Sequence, residues 1–178
     1  PEDWSKQPHK RAQKDIDARW TKKNHVSHFG YKAPISIDAG CGFIRRYAVT
    51  DAAVHDSQVL GQLLDIDNPD EPLWADSADC SEARLDVLKG MGFDPQFNER
   101  AYRNSPLSDE QKAANRERSK IRAKVEHVFG SWVSASGSKL LRTIGMARAK
   151  THLGLQNLVY NLKRLVFLET RARGAEIA

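Results

Sequence analysis

The clearest periodicity in the chain lies in its second half. Over residues 109–129, Ile121, Val125, Val128 and Phe129 fall at i, i+4, i+7 and i+8, which predicts an α-helix with one buried stripe. Ser108 and Gln111 form a capping box at its start: the serine oxygen accepts from a free helix N–H and the glutamine reaches back. A last helix over about residues 147–171 gathers Leu155, Leu158, Val159, Leu162, Leu165 and Val166 on one side, read as its packing face. The first half is read in shorter pieces. Residues 31–38 and 43–50, separated by Ala-Gly-Cys-Gly, predict a β-hairpin, with Pro34 suited to an edge because it cannot donate to a ladder. Asp56 is expected to cap a short helix over residues 57–64. A short apolar strand over residues 73–75 ends on Asp76. A helix over about residues 81–89 follows, stopped by Gly90 and Gly92, and residues 93–98 suggest one more strand. Strand–helix–strand after an antiparallel hairpin predicts a mixed α/β sheet.

Residues 1–30 show little periodicity and many charges, and are read as a basic arm or loop ahead of a domain over residues 31–178. A length of 178 residues suits one domain with its own core. The 40% apolar and 29% charged residues describe a globular chain rather than a disordered one. No run approaches the roughly 18 apolar residues of a membrane span, and the N-terminus has no apolar segment of a signal peptide. Cys41 and Cys80 make neither a disulfide framework nor a paired zinc spacing, which points to a reducing cytoplasm. Gly40 and Gly42 do not continue into a dinucleotide-binding loop.

Charge changes the picture more than composition does. Residues 1–32 hold eight Lys/Arg against four Asp/Glu, residues 51–99 two against twelve, and residues 101–150 eleven against four. Basic flanks around an acidic middle suit a chain that meets a polyanion while its middle holds carboxylates near metal ions. Clustering on solvated faces is the alternative. The stretch Trp-Thr-Lys-Lys-Asn-His-Val-Ser-His-Phe mixes cations and aromatics as a nucleic-acid-contacting segment could, with a surface loop as the plainer reading.

Two carboxylates stand out, Asp76 after a strand and Glu126 on a helix flank. At about 100° per residue Glu126 lies at the border of the buried stripe, on a face shared with Arg118 and Arg122. A turn residue and an intrahelical ion pair with Arg122 are the structural alternatives. Together the two permit more: carboxylates from a sheet and an adjacent helix can hold two Mg²⁺ or Mn²⁺ ions, the arrangement that drives in-line phosphodiester displacement.

The blocks QKDIDARWTKK, FGYK, FIRRYAVTDAAVHDSQVL, LWADSA, NRERSKIRAKVEHVFG, LRTIGMARAK and NLVYNLKRL, in order from about Gln13 to Thr170, closely resemble bacterial insertion-sequence transposases of the DDE type, in the insertion-sequence-five group. The resemblance implies an RNase H-like fold, a mixed sheet with flanking helices, using Mg²⁺ or Mn²⁺ to cut and rejoin the element's DNA ends. It places the second acidic ligand of the triad at Asp76 and the glutamate at Glu126. Arg122 matches the arginine ahead of that glutamate, with three residues between, and Ser119 stands where the pattern has Tyr. His55 and Asp56 fall in a family block with a structural or site-neighbouring role. Lys22, Lys23, Arg118, Lys120, Lys124, Arg142 and Arg148 are the expected DNA contacts.

This chain also departs from the pattern. The first aspartate of the triad normally sits in an Asp-Ala-Thr strand upstream of QKD, so that first strand and its ligand are expected to be missing here, along with the region that reads the terminal repeats. Asp79 and Cys80 follow ADSA where the family has Tyr, and Pro34 stands where His is common. The leading expectation is the catalytic-domain portion of a DDE transposase. Its partners would be the element's terminal repeats and target DNA, with no membrane and with oligomerisation during transposition, in the bacterial cytoplasm near the nucleoid. The alternatives are an inactive remnant that binds DNA without strand transfer and another RNase H-like nuclease.

Overall fold

A computed structural model describes residues 6–66, 72–75, 81–102, 105–136 and 141–176. After a short helix α1 (Pro8–Ala12), strands β1 (Arg19–Lys23) and β2 (Val26–Lys32) form an antiparallel hairpin in the register Trp20↔Phe29 and Lys22↔Ser27. Asn24 and His25 make its turn, both at positive φ (49° and 64°), as a two-residue hairpin loop demands. The region expected to be an arm or loop therefore carries two strands. Both faces of the hairpin are largely exposed, so no apolar alternation marked them in the sequence.

The last residues of β2 pair with β5 (Thr50–Asp51), through Tyr31↔Asp51 and Lys32↔Thr50. The expected second hairpin is present as β3 (Ile35–Ile37) and β4 (Ile44–Tyr47), antiparallel, with a register shift between Ser36 and Ile37. Pro34 lies just before β3, where the missing N–H costs no ladder bond, and its carbonyl accepts from Ala48 N–H (3.0 Å). The connecting turn closes on Asp38, whose Oδ1 accepts from Cys41 N–H (2.6 Å) and whose carbonyl accepts from Gly42 N–H (2.9 Å).

His55, not Asp56, caps the 3₁₀ turn that follows (Asp56–Gln58): its Nδ1 accepts from Ser57 N–H (3.2 Å). Asp56 instead pairs with Lys32 (3.2 Å). Helix α2 (Leu60–Leu63) leads towards β6 (Pro72–Leu73), which pairs in parallel with β7 (Asp94–Pro95), with helix α3 (Glu82–Gly90) between them in sequence. The strand expected over residues 93–98 is two residues long, because Phe93 and Phe97 turn into a small core with Leu60, Leu64 and Leu88. The fold is mixed α/β, as expected. Among the described residues, though, the strands form three separate ladders, β1–β2–β5, β3–β4 and β6–β7, rather than one sheet.

The helix expected over residues 109–129 is present as two, α4 (Asp109–Arg122) and α5 (Lys124–Ser136), with the capping box of Ser108 and Gln111 at its start. Val128 is fully buried on the predicted stripe, and Trp132 continues it into the main core with Ile44, Val49, Ala149 and Leu153. Phe129 meets Trp132 edge-on at 5.2 Å.

Helix α6 (Met146–Glu176) reverses the expected packing. Leu155, Leu158, Val159, Leu162, Leu165 and Val166 face outward, each 43–61% exposed. The buried face runs through Ala149, Leu153 and Asn157 to Tyr160, Asn161 and Arg164, and the two rows centre roughly 170° apart at about 100° per residue. Polar side chains decide the matter. Asn161 Oδ1 accepts from Ile44 N–H (2.9 Å) and its Nδ2 donates to Ile44 carbonyl (3.0 Å), so one amide satisfies the outer edge of β4 as a neighbouring strand would. Tyr160 donates to Gly42 carbonyl (3.1 Å) and Arg164 to Cys41 carbonyl (2.6 Å). Periodicity shows that a helix carries a row, not which side of it meets the sheet.

Candidate functional site

Glu126 stands in the first turn of α5, exposed, with Val125 half-buried and Val128 buried beside it. The α-helical ladder is interrupted at Ala123. Glu126 N–H donates to Ala123 carbonyl (3.1 Å), three residues back, so the glutamate opens a new helix instead of continuing α4. The core under Val128 and Trp132 fixes that helix, and the carboxylate is carried on a rigid element.

Arg122 ends α4, half-buried, and its Nε is buried with no hydrogen-bond partner among the described residues. The ion pair between Arg122 and Glu126, the structural alternative for this glutamate, is not among their described contacts. Ser119 Oγ accepts from Asn98 Nδ2 (2.9 Å), which ties α4 to the segment after β7.

Asp76 lies outside the described residues, as do Asp79 and Cys80. Chain order places Asp76 three residues beyond Leu73, the last residue of β6, with Gln96 N–H donating to Leu73 carbonyl (2.8 Å) at that strand end. Among the described residues, no three His, Cys, Asp or Glu side chains cluster as a metal site.

The residues expected to hold DNA divide by what else they touch. Arg118 reaches Glu99 (3.4 Å), within a set of bonds that also joins Glu99 to Gln111 (2.6 Å) and Asn115 (2.9 Å). Lys120 pairs with Glu117 (2.6 Å), and Lys124 donates to Ala39 carbonyl (2.5 Å), bracing α5 against the β3–β4 turn. Lys22, Lys23, Arg142 and Arg148 are exposed and have no acidic partner among the described residues. Around His55 and Asp56 the described contacts are local: Lys32 bonds both Asp56 and the Val54 carbonyl (2.7 Å), which holds the end of β2 to this turn.

Sequence reasoning missed a polar node at the start of α6. Asp15 Oδ1 accepts from Tyr31 hydroxyl (2.6 Å) and from Ala18 and Asp17 N–H (3.1 Å each), and Asp15 Oδ2 accepts from Gly145 N–H (3.1 Å). Asp17 Oδ2 accepts from Met146 N–H (2.9 Å). Gly145 has φ +92°, which only glycine adopts without strain, and that conformation belongs to the corner that precedes α6. Burial raises the Asp15 pKa, but the Tyr31 hydroxyl and the three amides outweigh it and hold the carboxyl below the usual aspartate range. Burial first, then the Asp15 carboxylate, push the Tyr31 hydroxyl well above its ordinary value. The signal was the QKDID block itself, two aspartates without an assigned task in the sequence.

These placements are those of a mixed α/β domain with a carboxylate on a rigid helix and cations on its surface. The chain belongs to the transposase DDE domain family, whose model matches residues 3–162. Among particular relatives, it is 35% identical over 118 residues to the transposase for insertion sequence element IS1106 of Neisseria meningitidis serogroup B. That alignment covers 66% of this chain and 41% of the relative, so the chain spans about two fifths of that protein's length. No solved structure matches.

Proposed function

We propose that this chain is the catalytic portion of a DNA transposase that cleaves and transfers the ends of an insertion sequence, with Asp76 and Glu126 as metal ligands. The observation that carries the reading is Glu126: an exposed carboxylate at the head of a helix locked into the core, within the stretch matched by the family. Its donor chemistry fits Mg²⁺ or Mn²⁺, which take oxygen ligands, and no described ion pair competes for it. A pair of such ions, when bound, supplies activation of the attacking oxygen and stabilisation of the leaving oxygen in phosphodiester displacement. Arg122, four residues before Glu126 at the end of α4, would hold a phosphate oxygen beside the reacting bond through the outer nitrogens of its guanidinium. Lys22, Lys23, Arg142 and Arg148 would hold the DNA backbone further out.

Mn²⁺ titration followed by electron paramagnetic resonance tests the assignment. Glu126→Gln and Asp76→Asn should each weaken Mn²⁺ binding while leaving thermal stability unchanged. Binding identical to that of the parent chain would refute the ligand assignment. The 178-residue chain alone should not join DNA ends with either ion, because the matched ligands are two and hard cations need several oxygens. Robust joining that disappears on Glu126→Gln would show that another carboxylate within the chain completes the set.

A further inference from the structure

The β1–β2 hairpin holds a feature that neither core nor metal chemistry uses. Trp20 and Phe29 sit directly opposite each other with ring centroids 5.2 Å apart, yet they are 66% and 50% exposed and belong to neither buried cluster. Two exposed rings in contact form an apolar patch of the kind that marks an interaction site. Alternation along the strands puts Lys22 and Ser27, also directly opposite, on the same face as the rings, about 7 Å along the hairpin. From Ala18 to Ile37 there is no Asp or Glu, while Arg19, Lys22, Lys23 and Lys32 all occur. Arg19 and Lys32 are held by carbonyl groups of the chain, whereas Lys22 and Lys23 project without an acidic partner among the described residues.

We infer that this hairpin is a stacking platform for an unpaired DNA base, with Trp20 and Phe29 taking the base and Lys22 the adjoining phosphate. The inference rests on the DNA reading above and specifies which form of DNA this surface takes. Charge selects a polyanion as the occupant. The rings select an unpaired base, since a duplex hides its π-faces in the stack and presents only edges and phosphates. The tight Asn24–His25 turn and the direct Trp20↔Phe29 pairing set the rings in place before anything binds, which lowers the ordering cost of stacking.

The test measures the full 178-residue chain by fluorescence anisotropy against a labelled thymidine oligonucleotide and a labelled duplex. Trp20→Ala and Phe29→Ala should each weaken single-strand binding by roughly 5- to 150-fold, while duplex binding changes by less than about twofold. Trp20→Phe should keep most of the single-strand affinity, and Lys22→Gln should weaken both. Both rings are exposed, so unchanged circular dichroism and melting of the variants establish that folding is intact. For Trp20→Ala or Phe29→Ala, equal losses on both DNAs, or no loss on the single strand, would overturn the inference while leaving the DNA reading in place. Loss of self-association in sedimentation on Trp20→Ala, with single-strand binding unchanged, would assign the rings to a second copy and overturn it too. Failure of the parent chain to bind either DNA at low salt would instead overturn the DNA reading and this inference with it.

Discussion

Replacing Asp15 with alanine removes one carboxylate from four donors at once: the Tyr31 hydroxyl and the amides of Asp17, Ala18 and Gly145. The Tyr31 bond, at 2.6 Å, is short and charge-assisted, and such bonds contribute about 1.5–3 kcal/mol. An anion at the start of α6 adds roughly 0.3–1 kcal/mol through the helix dipole. The expected loss is therefore about 3 kcal/mol, which for a chain of this size lowers the melting temperature by roughly 6–12 °C. The effect carries a pH signature. Because the folded state lowers the Asp15 pKa from its ordinary 3.8, its contribution is complete above that value and is lost as pH falls through the folded pKa. The Tyr31 pKa is raised, so its contribution is complete below the ordinary value of 10.0 and is lost as pH rises through the folded pKa. Differential scanning calorimetry of the parent chain, Asp15→Ala, Tyr31→Phe and the double variant should show strong coupling at neutral pH that shrinks once Asp15 protonates. Additive single effects at pH 7, or a deficit for Asp15→Ala that is as large in strong acid, would refute the node as a load carried by the carboxylate.

Asn161→Ala leaves the N–H and carbonyl of Ile44 without their described partner and should cost about 2–3 kcal/mol, read by chemical denaturation; a change below about 0.5 kcal/mol would show that water replaces the amide. Duplex binding should follow salt steeply. With about four phosphates met by cations that have no acidic partner among the described residues, such as Arg142 and Arg148, log K should fall with log salt at a slope near −3.6, with little dependence on sequence. A flat salt response in a titration of a random duplex would refute that surface.

The parts of the fold that were legible in the sequence are those built from local chemistry. The Ser108–Gln111 capping box, the β3–β4 hairpin and the buried stripe through Val128 each follow from a few adjacent residues, and each is present. The β1–β2 hairpin was not legible, because a ribbon exposed on both faces carries no alternation to read. The sense of α6 was not legible either. Hydrophobicity favoured the row through Leu158 and Leu162, and long-range bonds from Asn161, Tyr160 and Arg164 to residues 41–44 chose the other. In the candidate site, Glu126 could be read as a flanking carboxylate from helical spacing alone, but the interruption at Ala123 could not: no glycine or proline marks it. Asp15 and Asp17 were visible only as members of a block, since their partners at Gly145 and Met146 lie some 130 residues away in sequence.

Asn161 has one more effect, on how the small β3–β4 ladder can grow. By meeting both backbone groups of Ile44 with a single side chain, it closes that rim of the ladder with a helix, at the residue where another strand would have to begin pairing. Addition on the β4 side at Ile44 must first displace α6 from the ladder. The β3 side has no such plug among the described residues, so any strand that extends this ladder has one direction of approach, along Ile35–Ile37.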